Sequence, residues 1–524
     1  MREREREREM EADDGRDQKE EEEQKDQEEE EEDQEDQEDQ EDDSLLHATY
    51  RSTEDRNSSK VVHEGDDRDV GRAAMKKVSR RVLPLIMLAT LMNDTTANNI
   101  ALVSSGIMND LNMDARAFGM CVSIFFIPHV IFQIPLTLLS KRMGARRALP
   151  MMMLVFGIVS VSTCAVTSIG GLMTIRVILG AVQSPYIPFV SAYIATFYGT
   201  DGMSKAFALS VNLGNTLAQI VPFGSVILSI SRRSTVMASW RWLFLIEALP
   251  NFLLVVPLYM LLPDGPSSSG SFLTTPELRW MTDREKALEN GREKMSARLA
   301  DSDKRSALVR LLLDIRVVML VFTLFFMASA YAGFFFYLPL ILSFGGKYSM
   351  GTAALLNSIP FLVATPLSLV NASLADKSGK RLPHVILGLA ITVTGMLLTA
   401  LVIARGSEHP STVLELSSLT VIEIGSECFY IPFVAFQGEI LPESVAATGY
   451  ALVNMAGATG FGVGPSLVGA MKEATGHFSL PFVALAMLAL LALSITVSLL
   501  LMSRKTTRVA KSLEMMELES EAPV

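Results

Sequence analysis

The chain has 524 residues, 49% of them hydrophobic, yet its net charge is −12. A mean hydropathy of +0.30 with that charge excludes a single soluble domain, because the apolar and the acidic content belong to different segments. Residues 1–43 hold 26 Asp/Glu against 7 Lys/Arg, net −19, and the rest carries 32 acidic and 39 basic side chains, net +7.

The tail, residues 1–71, runs from REREREREM into EEEEQKDQEEEEEDQEDQEDQEDD. With almost nothing apolar to bury, it is expected to be disordered and solvated. It lacks the apolar core and cleavage site of a signal peptide. Two readings remain open, a solubilising cytosolic tail and a docking site for a basic partner. Glu41-Asp-Asp-Ser-Leu45-Leu46 fits an acidic dileucine motif. A sorting adaptor reading it would direct the chain to an endolysosomal or vacuolar membrane, with the plasma membrane as the alternative. Asn57-Ser-Ser59 formally fits a glycosylation acceptor, which a cytosolic tail would never present to the glycosylating enzyme.

Twelve apolar runs follow, near 82–106, 117–140, 149–168, 171–198, 204–230, 242–263, 316–343, 351–375, 383–404, 412–437, 445–470 and 479–502. About 20 apolar residues are what a helix needs to cross a bilayer core about 30 Å thick. Lipid leaves no partner for an unpaired backbone group, so the runs are predicted to be helices, packed through their many Gly, Ala and Ser. Cys121, Cys164 and Cys428 fall inside these runs and read as small core residues. No glycine loop for phosphate and no cluster of metal ligands is seen, so no cofactor, metal, nucleic acid or enzymatic reaction is expected.

Several ionisable side chains interrupt the runs. The first contains Asp94; the fourth, MTIRVILGAVQSPYIP, contains Arg176 and Gln183; the tenth, LTVIEIGSECFYIPF, contains Glu423 and Glu427 one turn apart on one face. A charge inside a membrane helix is costly enough to be a functional hypothesis by default. Arg176 offers planar bidentate donors to a carboxylate or phosphate; alternatively, it sits near a helix end and snorkels to the interface. Glu423 and Glu427 could carry protons, pair with Arg176, or bond to Ser and Tyr of neighbouring helices. Asp94 is a further titratable candidate, with a helix-packing hydrogen bond as its other reading. On the seventh run Tyr331, Tyr337 and Phe334-Phe335-Phe336 suit a cavity wall or a lipid-facing surface equally.

Basic residues set the orientation, since short loops rich in Lys and Arg stay cytosolic. Arg72, Lys76, Lys77, Arg80 and Arg81 precede the first run. Lys141, Arg142, Arg146 and Arg147 follow the second, Lys377, Lys380 and Arg381 the eighth, and Arg504, Lys505, Arg508 and Lys511 the last. Both termini are predicted to be cytosolic, with Arg232 and Arg233 as a local exception. The boundaries are then a tail at 1–71, a six-helix bundle at 72–263, a cytosolic loop at 264–310, a second bundle at 311–502 and a tail at 503–524. Within the loop, TPELRWMTDREKALENGREKM starts with Thr275-Pro276-Glu277 and spaces Leu278, Met281 and Leu288 as a surface amphipathic helix would.

The halves repeat each other. Ile-Pro-Phe-Val occurs at 187–190 and at 431–434, Phe207-Ala-Leu209 echoes Tyr450-Ala-Leu452, and the loop at 141–147 answers that at 376–381. Parallel repeats of this kind place a substrate site between the halves, near the membrane midplane.

The segments SIFFIPHVIFQIPLTLLSKRMGARRALP, WRWLFLIEALPNF through LLPDGP, ADKSGKR, and ALVNMAGATGFGVGPSLVGAMKEATG resemble the anion:cation symporters of the major facilitator superfamily, which include organic-acid, sugar-acid and vitamin permeases. The resemblance covers about residues 80–502. It implies an all-α membrane protein of twelve transmembrane helices in two pseudo-symmetric six-helix bundles, working by alternating access on a small organic anion of carboxylate type. Arg176 with Gly180 matches the family's Arg-x-x-x-Gly, and Asn454 matches an asparagine that often lines the substrate cavity, with helix packing as the alternative. Gln183 stands where proton-coupled members carry a glutamate, and Thr96-Ala97 where they carry an Asp-Arg pair. Glu427 is the pseudo-symmetry mate of Gln183, each four residues before Ile-Pro-Phe-Val, so the acid could have moved to the second half. Glu427 is therefore the leading coupling candidate, ahead of Glu423 and Asp94.

The resemblance also makes Lys141, Arg142, Gly144, Arg146 and Arg147, with Asp376, Gly379 and Arg381, conformational latch loops. Lys141 replaces the usual acid, which leaves the first copy one-sided; the alternative is that these basic residues anchor helix ends to lipid headgroups. An uncoupled facilitator is the runner-up within transport, and a membrane sensor signalling through the acidic tail is the alternative of another class. Cysteines introduced at Ser268 and Ser512 are both expected to be labelled from the cytosolic side only. Labelling of either from outside would overturn the topology.

Overall fold

In the computed structural model the described residues are 64–220, 223–231, 236–301, 313–343, 348–405, 411–441 and 446–520. The chain divides into two units, Met1–Ala73 and Ala74–Val524. The acidic run, the Glu41–Leu46 motif, Asn57 and the pair Arg232 and Arg233 lie outside the described residues.

In chain order the helices are α1 (Glu64–Leu102), α2 (Ser104–Asp110), α3 (Ala115–Ser123), α4 (Phe126–Met143), α5 (Ala145–Cys164), α6 (Ile169–Gln183), α7 (Tyr186–Phe207), α8 (Leu213–Ile220), α9 (Phe223–Ser231) and α10 (Ser239–Leu261). Then come α11 (Thr275–Asp301), α12 (Ile315–Ser343), α13 (Met350–Ser378), α14 (Arg381–Ala404), α15 (Thr412–Ile440), α16 (Ala446–Thr475) and α17 (Ser479–Ser520). Among the described residues there is no strand. Among the described residues eleven segments are long and apolar enough to cross a membrane, and they coincide with eleven of the twelve expected runs. The remaining run lies on α1, which is long enough, but Asn93, Asp94, Thr95, Thr96, Asn98 and Asn99 make its second half polar. The helix tolerates them partly because the Thr90, Thr95 and Thr96 hydroxyls donate back to the carbonyls of Ile86, Leu91 and Met92. The last span ends at Met502, next to the expected boundary at 503, while its helix α17 runs on to Ser520.

Three spans of the first half are not continuous helices. The second breaks between α3 and α4 at Ile124 and Phe125, and the fourth breaks between Gln183 and Tyr186, where Pro185 has no N–H to donate. The fifth begins with a π-helical turn over Ala208–Asn212, a local distortion that often marks a functional position.

The two halves meet most closely at one end. Tyr337 donates from α12 to Ala115 O at 2.7 Å, and Ser466 on α16 bonds Ser123 on α3 at 2.8 Å. A Cβ added at Gly119 would run into Pro465 O, and one at Gly469 into Ala115 O. Glycine here lets two backbones approach, as small residues do between membrane helices. Connections after odd-numbered and even-numbered spans lie at opposite ends, so this seal is remote from the central loop after the sixth span.

At the other end the central loop packs on the first half. Lys77 Nζ donates to Glu277 Oε2 at 2.8 Å, and the same oxygen accepts from Thr274 N at 2.8 Å, one arm of a helix capping box. Arg81 bonds Leu261 O at 2.9 Å and lies over the Phe272 ring, while Arg284 bonds Tyr198 O at 2.8 Å. Met281 is buried and Leu278 half-buried, so this part of the expected amphipathic face is covered by protein, while the Leu288 side chain lies outside the described residues.

The Lys77 ammonium, then the Thr274 N–H, hold the Glu277 carboxyl below its ordinary value of 4.5. A lowered folded-state pKa stabilises fully above that ordinary value and is lost as pH falls through the lowered one. Purified Glu277→Gln protein should melt below the natural protein at pH 7, and the gap should close as pH drops below about 4.5. A gap that does not change with pH would show that Glu277 contributes shape and not charge.

Candidate functional site

Two adjoining cavities lie inside the bundle. The larger, of about 370 Å³, is bounded by both halves: Asp94 of α1, Asn215, Thr216 and Gln219 of α8, Tyr331 of α12, Phe361 of α13, Glu427 and Tyr430 of α15, and Asn454 and Phe461 of α16. The smaller, of about 170 Å³, is bounded mainly by the first half, through Asn93, Asp94 and Ala97, Phe125, Phe126 and His129, and Arg176 and Gln183, with Phe336 and Phe461 closing it. Asp94 and Phe461 face both.

Arg176 is positioned by a close helix contact. A Cβ at Gly180 would run into Phe125 O, so the Arg-x-x-x-Gly spacing lets α6 approach the break between α3 and α4. That approach places the Phe125 ring 4.6 Å from the guanidinium carbon. The guanidinium donates to Ala97 O at 3.0 Å and to Cys121 O at 3.4 Å. The side chain is 4% exposed, so it is turned into the bundle and does not snorkel. Among the described residues it makes no ion pair with a carboxylate. Gln183, also buried, donates to Asn93 O at 2.9 Å.

The carboxylates divide between the cavities and the packing behind them. Asp94 Oδ1 accepts from Asn93 at 3.0 Å. With the Asn215 amide turned so that its oxygen and nitrogen both find suitable partners, its nitrogen lies 2.5 Å from Asp94 Oδ2. Glu423 is fully buried and accepts from the Tyr331 hydroxyl at 3.2 Å, and its second oxygen has no partner among the described residues. It therefore bonds to a neighbouring Tyr and does not pair with Arg176. Glu427, one turn on, faces the larger cavity, as do Asn454 and Tyr331. Tyr337 and Phe334 are buried in the packed core, neither on a cavity nor towards lipid, whereas Phe336 faces the smaller cavity.

Three features were missed by the sequence reading. His129 on α4 stacks on Phe125, with ring centroids 5.5 Å apart, and faces the smaller cavity. Glu247 on α10 is 2% exposed and accepts from Asn99, while Asn251 donates to Thr96 at 3.3 Å; this polar cluster ties α10 to α1. The rule that intramembrane ionisable residues are candidates would have flagged both His129 and Glu247. Third, the polar residues of α8 at 215, 216 and 219 carried no motif.

The loops expected to act as latches are bonded within their own halves. Gly144 and Gly379 both have positive φ, of 80° and 63°, which glycine adopts without strain. In the first copy Asp264 Oδ1 accepts from Arg146 N at 2.8 Å, and Arg146 Nε donates to Tyr259 O at 2.9 Å. In the second, Arg381 pairs with Glu439 at 2.6 Å and with Asp376 at 3.7 Å. In this first copy, where Lys141 replaces the usual acid, the carboxylate present is Asp264, and it accepts from a backbone N–H. Lys141, Arg142 and Arg147 are exposed.

The family described as Major Facilitator Superfamily matches residues 85–402 and 347–520. A putative tartrate transporter of Agrobacterium vitis is 27% identical over 415 residues, 78% of this chain and 91% of its own. The putative metabolite transport protein NicT of Pseudomonas putida is 25% identical over 425 residues, 79% of this chain and 92% of its own. Among solved structures, an inward-facing bacterial homologue of the human lysosomal transporter Spinster superposes with a TM-score of 0.62 at 16% identity, over 81% of this chain and 96% of that one. The proton:xylose symporter XylE of this fold gives 0.60 at 16%, over 82% and 96%. At such identities the two structures bear on the fold alone.

Proposed function

This chain belongs to the Major Facilitator Superfamily and is a multi-pass membrane transporter, not an enzyme; from that premise we propose that it carries a small organic anion of carboxylate type by alternating access. The observation that carries this reading is Arg176, a buried guanidinium beside a cavity with no carboxylate paired to it among the described residues. A buried charge is costly unless it is compensated, and an anionic ligand would compensate this one. The relative named for tartrate transport supports the same substrate chemistry, and the one named for metabolite transport supports a small-molecule cargo. The glycine-sealed contact between halves at one end, with latch pairs confined to each half at the other, suits a carrier that rocks about its central site. The basic loops favour cytosolic termini, which puts the seal on the far side of the membrane.

Arg176→Lys keeps the charge but loses the planar fork, so it should bind substrate more weakly, and Arg176→Ala more weakly still. Losing a charge-assisted hydrogen bond costs about 1.5–3 kcal/mol, roughly tenfold to a hundredfold in affinity. Uptake of labelled tartrate into proteoliposomes measures this, and unchanged affinity in Arg176→Ala would overturn the anion site.

Coupling is assigned here to Glu427, on the larger cavity. If it takes up a proton in each cycle, Glu427→Gln should lose uptake against a gradient while exchange of labelled for unlabelled substrate persists, because exchange moves no net proton. Uptake against a gradient at the natural rate would instead favour an uncoupled facilitator, the reading to which the amide at Gln183 points.

A further inference from the structure

Two opposite charges face these cavities without meeting. Arg176 Nη1 bonds the carbonyl of Ala97, three residues from Asp94 on the same helix, a rise of roughly 4.5 Å. Yet no ion pair joins Arg176 to Asp94. Backbone carbonyls hold the guanidinium, and the amides of Asn93 and Asn215 hold the carboxylate. Opposite charges attract strongly in a low-dielectric interior, so neutral partners that keep them apart leave room for a ligand between them.

From this arrangement we propose that the transported anion is a zwitterion, whose carboxylate sits at Arg176 and whose cationic nitrogen sits at Asp94, where the two cavities join. This deepens the proposed function and rests on its anion site. Among the described residues the larger cavity has acids on its wall, Asp94 and Glu427, and no Lys, Arg or His. A dianion reaching into it would be repelled, while a cationic nitrogen would be attracted. Phe461 is common to both cavities, and aromatic rings attract cations over their faces. A carboxylate and a cationic nitrogen in one small molecule, as in an aromatic betaine or a γ-amino acid, is the chemistry that such a pair of groups would take.

The test uses the purified full-length protein and pairs of compounds that differ only in the cation. N-methylnicotinate is compared with 3-methylbenzoate, and γ-trimethylammoniobutyrate with its tert-butyl carbon isostere, each by its Kd read from the concentration dependence of its thermal stabilisation of the protein. The natural protein should bind the cationic member of each pair roughly tenfold more tightly. Asp94→Asn should bring that ratio to about one, and Arg176→Ala should weaken both members by the same factor. Equal binding of the members of each pair by the natural protein, or a preference that survives Asp94→Asn, overturns the zwitterion. Because the ratio is first read on the natural protein, a variant that fails to fold does not shelter the inference. If the plain carboxylates or tartrate bind and no cationic compound binds, this inference falls while the anion site stands. If tartrate itself does not bind and none of the acids stabilises the protein against heat, both fall.

Discussion

The guanidinium of Arg176, bonded to the carbonyls of Ala97 and Cys121 and covered by Phe125, ties the first, second and fourth spans around one buried charge. Everything near it follows from the need to keep that charge solvated by protein. Gly180 lets α6 come close enough, and the break between α3 and α4 places a ring against the guanidinium. The polar second half of α1 supplies carbonyls and amides where an apolar helix would supply nothing. In lipid such a helix would be untenable; facing a cavity it is affordable, because its polar groups meet one another or the lumen.

The same constraint explains why irregular backbone gathers where it does. The interruption after Gln183 and the π-helical turn at 208–212 belong to the fourth and fifth spans, which contribute Gln183 and the polar residues of α8 to the two cavities. Interrupted helices free backbone groups, and these are tolerated only where protein or a cavity can pair them. Spans of the second half that lack such breaks carry their polar groups as side chains instead. Glu423 and Glu427 sit on the continuous α15, one turned to Tyr331 and the other to the cavity.

The two ends of the bundle use different forces. The seal between halves relies on shape, with glycines at 119 and 469 allowing backbone contact and two hydroxyl bonds across it. The two basic loops at the other end rely on polar contacts, the Arg146 backbone N–H on the Asp264 carboxylate and the Arg381–Glu439 ion pair, each closed within its own half. Close packing is lost abruptly when helices separate, whereas exposed ion pairs exchange readily with water.

The sequence by itself determined the fold class, because hydrophobic length is a local property that lipid reads directly: eleven of twelve runs reappear as crossing helices, and the Lys77-to-Glu277 loop packing was half visible in its amphipathic spacing. It also determined that Arg176, Gln183, Glu423, Glu427 and Asp94 lie inside membrane runs. Only the tertiary structure decided what each of them faces. One turn along α15 separates a glutamate bonded to a tyrosine from one open to a cavity, and no local pattern distinguishes them. Asp264 entered the first latch from 118 residues away, and His129 and Glu247 found their places through helix crossing. Periodicity fixes which residues share a helix face, but the rotation of that face is set by the sum of many weak contacts between helices distant in sequence, so partners across the bundle are written in the packing alone.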